Sequence, residues 1–152
     1  MLSRLTQITD RAKRAWRAHA DPAPRVLCAD DDDDIRTFCA TVLKRAGFEV
    51  DTAADGREAM LMLRARSYST ILLDLGMPYL HGATVLAILA KTQPEALSRL
   101  IVITGASDSA LGELRGARVI LKKPFAAGRL LDAVRECQEV KPVTGTQTRR
   151  LR

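Results

Sequence analysis

The chain has 152 residues, 47% of them hydrophobic, and a formal net charge of +6, and one compact domain of about this size buries enough surface, roughly 68–70%, to hold a core without metal or disulfide. No apolar run approaches the roughly 18 residues of a membrane span and no apolar stretch opens the chain, so neither a membrane partner nor a secretory route is expected and a cytoplasmic location is. The three cysteines, Cys28, Cys39 and Cys137, show no C-x-x-C spacing and are read as small core residues.

Residues 1–24 read as a basic extension that closes in the proline-interrupted linker Asp21-Pro22-Ala23-Pro24, with Trp16 as a packing residue. From Arg25 onward, short strand-like runs alternate with helix-like runs. Val26–Ala29 precedes Ile35–Ala46, in which Ile35, Phe38, Cys39, Val42, Leu43 and Ala46 recur at helical spacing before Gly47. The unit repeats as Phe48–Thr52 with Arg57–Arg66, Thr70–Leu73 with Ala83–Lys91, Leu100–Ile103 with Ser107–Arg115, and Val119–Leu121 with Ala126–Glu139. Five such units predict an α/β domain over 25–140, with a parallel sheet covered by helices on both faces. Residues 141–152, with Pro142, Gly145 and three late arginines, are predicted to be a disordered basic tail.

The basicity belongs to the ends. Residues 1–25 hold six Arg/Lys against two Asp and residues 141–152 hold four against none, whereas residues 26–140 hold fourteen against sixteen acidic residues. Neither end interleaves aromatics with its charges, and no helix-turn-helix or zinc-finger pattern is present, so no direct DNA binding is expected.

Ligands of open α/β sheets bind beyond the carboxyl ends of the strands. The first strand runs into Asp30 and Asp31, the third into Asp74, the fourth into Thr104 and the fifth into Lys123. Three carboxylates, a hydroxyl and an ammonium therefore converge on one rim. Two unit charges about 4 Å apart cost about 4 kcal/mol at an effective dielectric of 20, so carboxylates gathered this closely call for a cation among them. Hard oxygen donors without His or Cys favour Mg²⁺ over zinc, and Mg²⁺ takes remaining ligands from water and phosphate oxygens. Metal-assisted phosphoryl chemistry is the expectation. The plainer alternative is a solvated acidic loop, Asp30–Asp34, that caps the following helix; position separates Asp30 and Asp31, which abut the strand, from Asp32, Asp33 and Asp34.

The segments Arg25-Val26-Leu27-Cys28-Ala29-Asp30-Asp31-Asp32, Leu72-Leu73-Asp74-Leu75-Gly76-Met77-Pro78, Ile103-Thr104-Gly105 and Lys122-Lys123-Pro124-Phe125 resemble the acidic pair, phosphorylation site, hydroxyl position and Lys-Pro element of response-regulator receiver domains. The likeness covers residues 25–140. It implies a flavodoxin-like doubly wound sheet of order 2-1-3-4-5 with five helices, the fourth shortened because only 19 residues separate Thr104 from Lys123. It further implies that Asp74 accepts a phosphoryl group from a sensor histidine kinase or histidine phosphotransfer protein. Asp31, Asp74 and the Gly76 carbonyl would ligate Mg²⁺, Asp30 would assist through water, and Lys123 and Thr104 would bind phosphoryl oxygens. Pro124 would follow a cis peptide bond, as in many relatives.

The same resemblance implies a stand-alone signalling module, monomeric or weakly dimeric, that catalyses its own phosphorylation and dephosphorylation and changes its affinity for a protein partner. Three features depart from the family pattern: the short interval from Thr104 to Lys123, Gly105 after Thr104 where alanine is frequent, and Ile120 in the place of an aromatic switch residue. The first and third concern the signalling face and leave the phosphorylation chemistry alone. His81 is read as a solvent-facing loop residue, and Lys122 is sent by strand alternation to the side opposite Lys123. A Mg²⁺-dependent phosphatase of the haloacid-dehalogenase type would need a second Asp where Gly76 stands. A purely structural adaptor is disfavoured because each chemical position holds a competent residue.

Overall fold

The structure, a computed structural model, describes residues 23–105 and 116–139. Its elements are β1 (Arg25–Ala29), α1 (Asp33–Arg45), β2 (Glu49–Ala53), α2 (Gly56–Ala65), β3 (Thr70–Asp74), α3 (Gly82–Thr92), a 3₁₀ helix (Pro94–Arg99), β4 (Leu100–Thr104), β5 (Val119–Lys122) and α4 (Ala127–Gln138). All pairings are parallel and the strand order is β2-β1-β3-β4-β5, the flavodoxin-like order expected.

Strand alternation divides the core into two layers. Leu27, Ala29, Ile71, Leu73, Leu100 and Val102 face α2 and α3, meeting Met60, Leu63, Val85 and Leu89. Val26, Cys28, Leu72, Ile101 and Ile103 face α1 and α4, meeting Cys39, Leu43, Leu130, Val134 and Cys137. Because both faces of the central strands are covered, β3 and β4 are buried along their whole length, which is why they read as unbroken apolar runs. All three cysteines are buried free thiols. Burial pushes Cys137 up to about 11, so this thiol packs rather than reacts.

Local chemistry sets the element ends. Asp32 caps α1, its carboxylate accepting from the backbone N–H groups of Asp34 at 2.9 Å and Ile35 at 3.2 Å. At the other end Gly47 has φ 97°; its N–H bonds the Lys44 carbonyl and that of Phe48 bonds Leu43, a Schellman closure that favours glycine. Asp55 caps α2 likewise, while Glu58 reaches back to the N–H of Ala54.

Most helix ends lie one or two residues from the expected ones, because cap side chains rather than apolar spacing decide the first turn. The 3₁₀ helix has no counterpart in the sequence reading: six residues beginning with Pro94 are too few to show a helical period. The expected fourth helix, Ser107–Arg115, residues 1–22 of the basic extension and the tail lie outside the described residues.

Candidate functional site

Sheet order alone brings the rim together. Ala29 pairs with Leu73, so Asp30, the next residue after β1, and Asp74, the last of β3, emerge side by side. Thr104 ends β4 and pairs with Lys122, placing Lys123 immediately beyond the rim. One ligand oxygen each from Asp30, Asp31 and Asp74 fall within 4.8 Å of one another. Asp30 is fully buried and Asp74 is 5% exposed, while Asp31 opens to solvent.

Lys123 joins the two buried acids. Its Nζ lies 2.9 Å from Asp30 Oδ2 and 3.5 Å from Asp74 Oδ1. Burial opposes its charge, but hydrogen bonding to Asp30 and the charges of Asp74 and Asp30 outweigh that and raise its pKa. Burial first, and then the Asp30 charge, push the Asp74 pKa up, against the opposing pull of Lys123 and the Gly76 N–H. One ammonium thus leaves three carboxylates undercompensated.

The surrounding backbone is fixed tightly. The N–H of Asp32 donates to Asp30 Oδ1 at 2.9 Å, and the Asp30 N–H donates to Ala53 at 3.1 Å. Arg36, one turn into α1, donates to the Asp30 carbonyl at 2.6 Å and pairs with Asp33. On the β3 side, a Cβ on Gly82 would stand 2.1 Å from the Asp74 carbonyl oxygen, so the start of α3 can lie directly against β3 only as glycine. The Lys123–Pro124 peptide is cis.

The rim fits a hard divalent cation. Its donors are oxygen only, and among the described residues the two buried carboxylates, Asp30 and Asp74, share the single ammonium of Lys123. Buried carboxylates that share one positive charge are costly unless a further cation approaches them. Receiver domains typically hold a metal in such an acidic pocket.

Each expected site residue falls at or beside this rim. Asp30, Asp31 and Asp74 are gathered, Lys123 is bonded among them, Thr104 is 2% exposed at the end of β4, and the N–H of Gly76 faces the Asp74 carboxylate. Lys122 ends β5 exposed, and His81 is an exposed residue preceding α3. Ile120 is half-buried on β5 beside Val102. Arg36, Gly56 and Gly82 hold the loops of the site in place; from sequence Gly56 reads only as a turn and helix entry after Asp55, and Arg36 and Gly82 carry no reading of their own. The signal for Arg36 was its place one turn into the helix that the acidic run starts.

Comparison with known proteins agrees with this geometry. The family described as response regulator receiver domain matches residues 26–135. The chain is 33% identical over 127 residues to the transcriptional regulatory protein PrrA of Mycobacterium leprae, covering 83% of this chain and 54% of that one, so it spans about half the length of that relative. It is 31% identical to protein PilG of Pseudomonas aeruginosa, covering 73% of this chain and 84% of PilG. Among solved structures, the chemotaxis response regulator CheY4 of Vibrio cholerae superposes with a TM-score of 0.70 at 28% identity, over 76% of this chain and 98% of CheY4. The chain belongs to the response regulator receiver domain family, the phosphoacceptor modules of two-component signalling.

Proposed function

We propose that Asp74 is the phosphoacceptor of this receiver and that Mg²⁺ is the ion of its acidic rim. The carrying observation is the gathering of carboxylate oxygens of Asp30, Asp31 and Asp74 within 4.8 Å of one another, with Lys123 paired to Asp30 and Asp74. Asp31, Asp74 and the Gly76 carbonyl would hold the ion and Asp30 would act through water. Mg²⁺, when bound, neutralises charge on the phosphoryl oxygens.

The remaining work falls to the chain. An Asp74 carboxylate oxygen attacks the phosphorus of a phosphohistidine; the new O–P bond forms as the P–N bond breaks, and the electron pair leaves with the imidazole. Lys123, already 3.5 Å from Asp74, moves from its carboxylate partners to a phosphoryl oxygen, and Thr104 donates a hydrogen bond to another. Return of the aspartate by attack of water makes the module its own phosphatase. The donor is a sensor histidine kinase or histidine phosphotransfer protein, and the output is altered affinity for a protein target in the cytoplasm.

Intact-mass measurement after incubation with a small phosphodonor and Mg²⁺ tests this. One labile phosphoryl adduct is expected, absent from Asp74→Asn. An adduct of equal yield in that variant would move the acceptor elsewhere.

A further inference from the structure

A second feature stands apart from the acidic rim. Three large apolar side chains are exposed among the described residues: Phe38 at 38%, Leu61 at 67% and Tyr79 at 75%. Phe38 is partly covered by the Phe125 ring, 6.1 Å away between centroids. Leu61 and Tyr79 are not covered in this way, and both belong to the neighbourhood of α2.

Tyr79 is held outward at a cost. Its φ of 64° makes it the non-glycine residue with a left-handed backbone among the described residues, a conformation that a bulky side chain enters only under constraint. The constraint is visible on both sides. The backbone of the following residue, Leu80, lies so close to Gly56 that a Cβ there would stand 2.0 Å from the Leu80 oxygen, and the Arg57 guanidinium sits 5.2 Å from the centroid of the Tyr79 ring. The first turn of α2 therefore pins the loop and props its aromatic ring in solvent.

Arg57 links that ring to Leu61. Positions 57, 61 and 64 share one helical face, and Arg57, Leu61 and Arg64 are all exposed. The helix has one acidic residue, Glu58, and its carboxylate is turned back to the N–H of Ala54. The outward stripe is thus arginine, leucine, arginine, flanked by tyrosine. Aromatic and arginine side chains around an apolar centre are the composition that concentrates binding energy at protein interfaces.

We propose that this stripe docks an acidic segment of a partner protein, one that presents an apolar side chain between carboxylates, as on one face of an amphipathic helix. Charge selects that occupant. Residues 1–25 and 141–152 are both basic and are repelled by Arg57 and Arg64, whereas carboxylates of a partner meet two guanidinium groups with no competing acid on the stripe. The reading is independent of phosphoryl chemistry at Asp74.

The probes are two synthetic helical peptides of about 18 residues with the same leucine pattern, one with glutamate and one with lysine at the polar positions, titrated into the ¹⁵N-labelled full chain. The glutamate peptide is expected to shift amides of residues 56–65 and 76–81. Leu61→Glu and Tyr79→Gly are each expected to weaken it about tenfold or more. Both changes sit on the surface, and glycine suits the backbone at 79. Absence of shifts, shifts centred elsewhere, equal binding of the lysine peptide or indifference to both substitutions would overturn the proposal. Shifts of the same residues on concentrating the chain alone would put a second copy on the stripe and overturn it likewise.

Discussion

The two edges of the sheet carry charge clusters of similar size and opposite logic. At the carboxyl edge, Asp30, Asp31 and Asp74 gather and Lys123 pairs with Asp30 and Asp74, three acids against one base. Towards the amino edge, Arg25 and Arg66 face Glu49 and Asp51: Arg25 pairs with Glu49 and, at 3.2 Å, with Asp51, while Arg66 lies 3.4 Å and the Tyr68 hydroxyl 2.9 Å from Asp51. There the charges balance and the polar atoms of Asp51 are bonded. A balanced cluster is what packing and solvation produce unaided; a buried, unbalanced one persists where a further positive charge belongs to the working state.

The largest difference between the clusters should be in cation affinity. If Asp31 holds the ion as proposed, Asp31→Ala is expected to weaken Mg²⁺ binding about a hundredfold, while Asp33→Ala should change it less than about twofold. Asp33 lies in the first turn of α1 with its side chain 86% exposed and paired to Arg36. Calorimetric titration measures both; equal affinities would mean that the acidic run acts as one diffuse field.

Stability without metal should then move in opposite directions. Asp74→Asn relieves like-charge repulsion beside Asp30 and is expected to raise Tm by about 3 °C, near 1 kcal/mol for a domain of this size. Arg25→Ala strips Glu49 and Asp51 of their shared partner and should cost about 0.5–1 kcal/mol, because these pairs are part-exposed. Thermal unfolding in chelator compares them. Destabilisation by both substitutions would show that the carboxyl-edge charges are as well compensated as the others.

The sequence revealed these two regions unequally. The carboxyl-edge residues were legible because each follows an apolar run long enough to mark a buried strand, and a parallel sheet puts all such ends on one side. Asp30, Asp31, Asp74, Thr104 and Lys123 are therefore placed on one rim by the sequence pattern itself. What could not be read was pairing between side chains from different strands. That Lys123 lies nearer Asp30 than Asp74 depends on side-chain reach across the rim. Arg25, Glu49, Asp51 and Tyr68 likewise look like ordinary surface residues until β1, β2 and the start of β3 are set in register. The strained backbone at Tyr79 left no trace at all, since it arises from the contact between Leu80 and Gly56, separated by 24 residues in sequence.

The smallest effect concerns Tyr68, which tests whether the amino-edge cluster acts as a unit. Tyr68 is 2% exposed. Burial first, then its hydrogen bond to Asp51 and the Asp51 charge, push its pKa from 10.0 up to about 12, against the opposing influence of Arg66 and Arg25. The folded chain therefore keeps the phenol proton at a pH where the unfolded chain has released it. This contribution to stability is complete below pH 10.0 and is lost as pH rises from there through about 12. In a Tyr79→Phe background, which leaves Tyr68 as the tyrosine to follow, phenolate absorbance should rise with a midpoint near 12. Asp51→Asn keeps an acceptor for the hydroxyl but removes the negative charge, so the midpoint should fall while the fold persists. An unchanged midpoint would mean that burial alone sets the Tyr68 pKa, and Asp51 would then belong to the arginines rather than to a shared network.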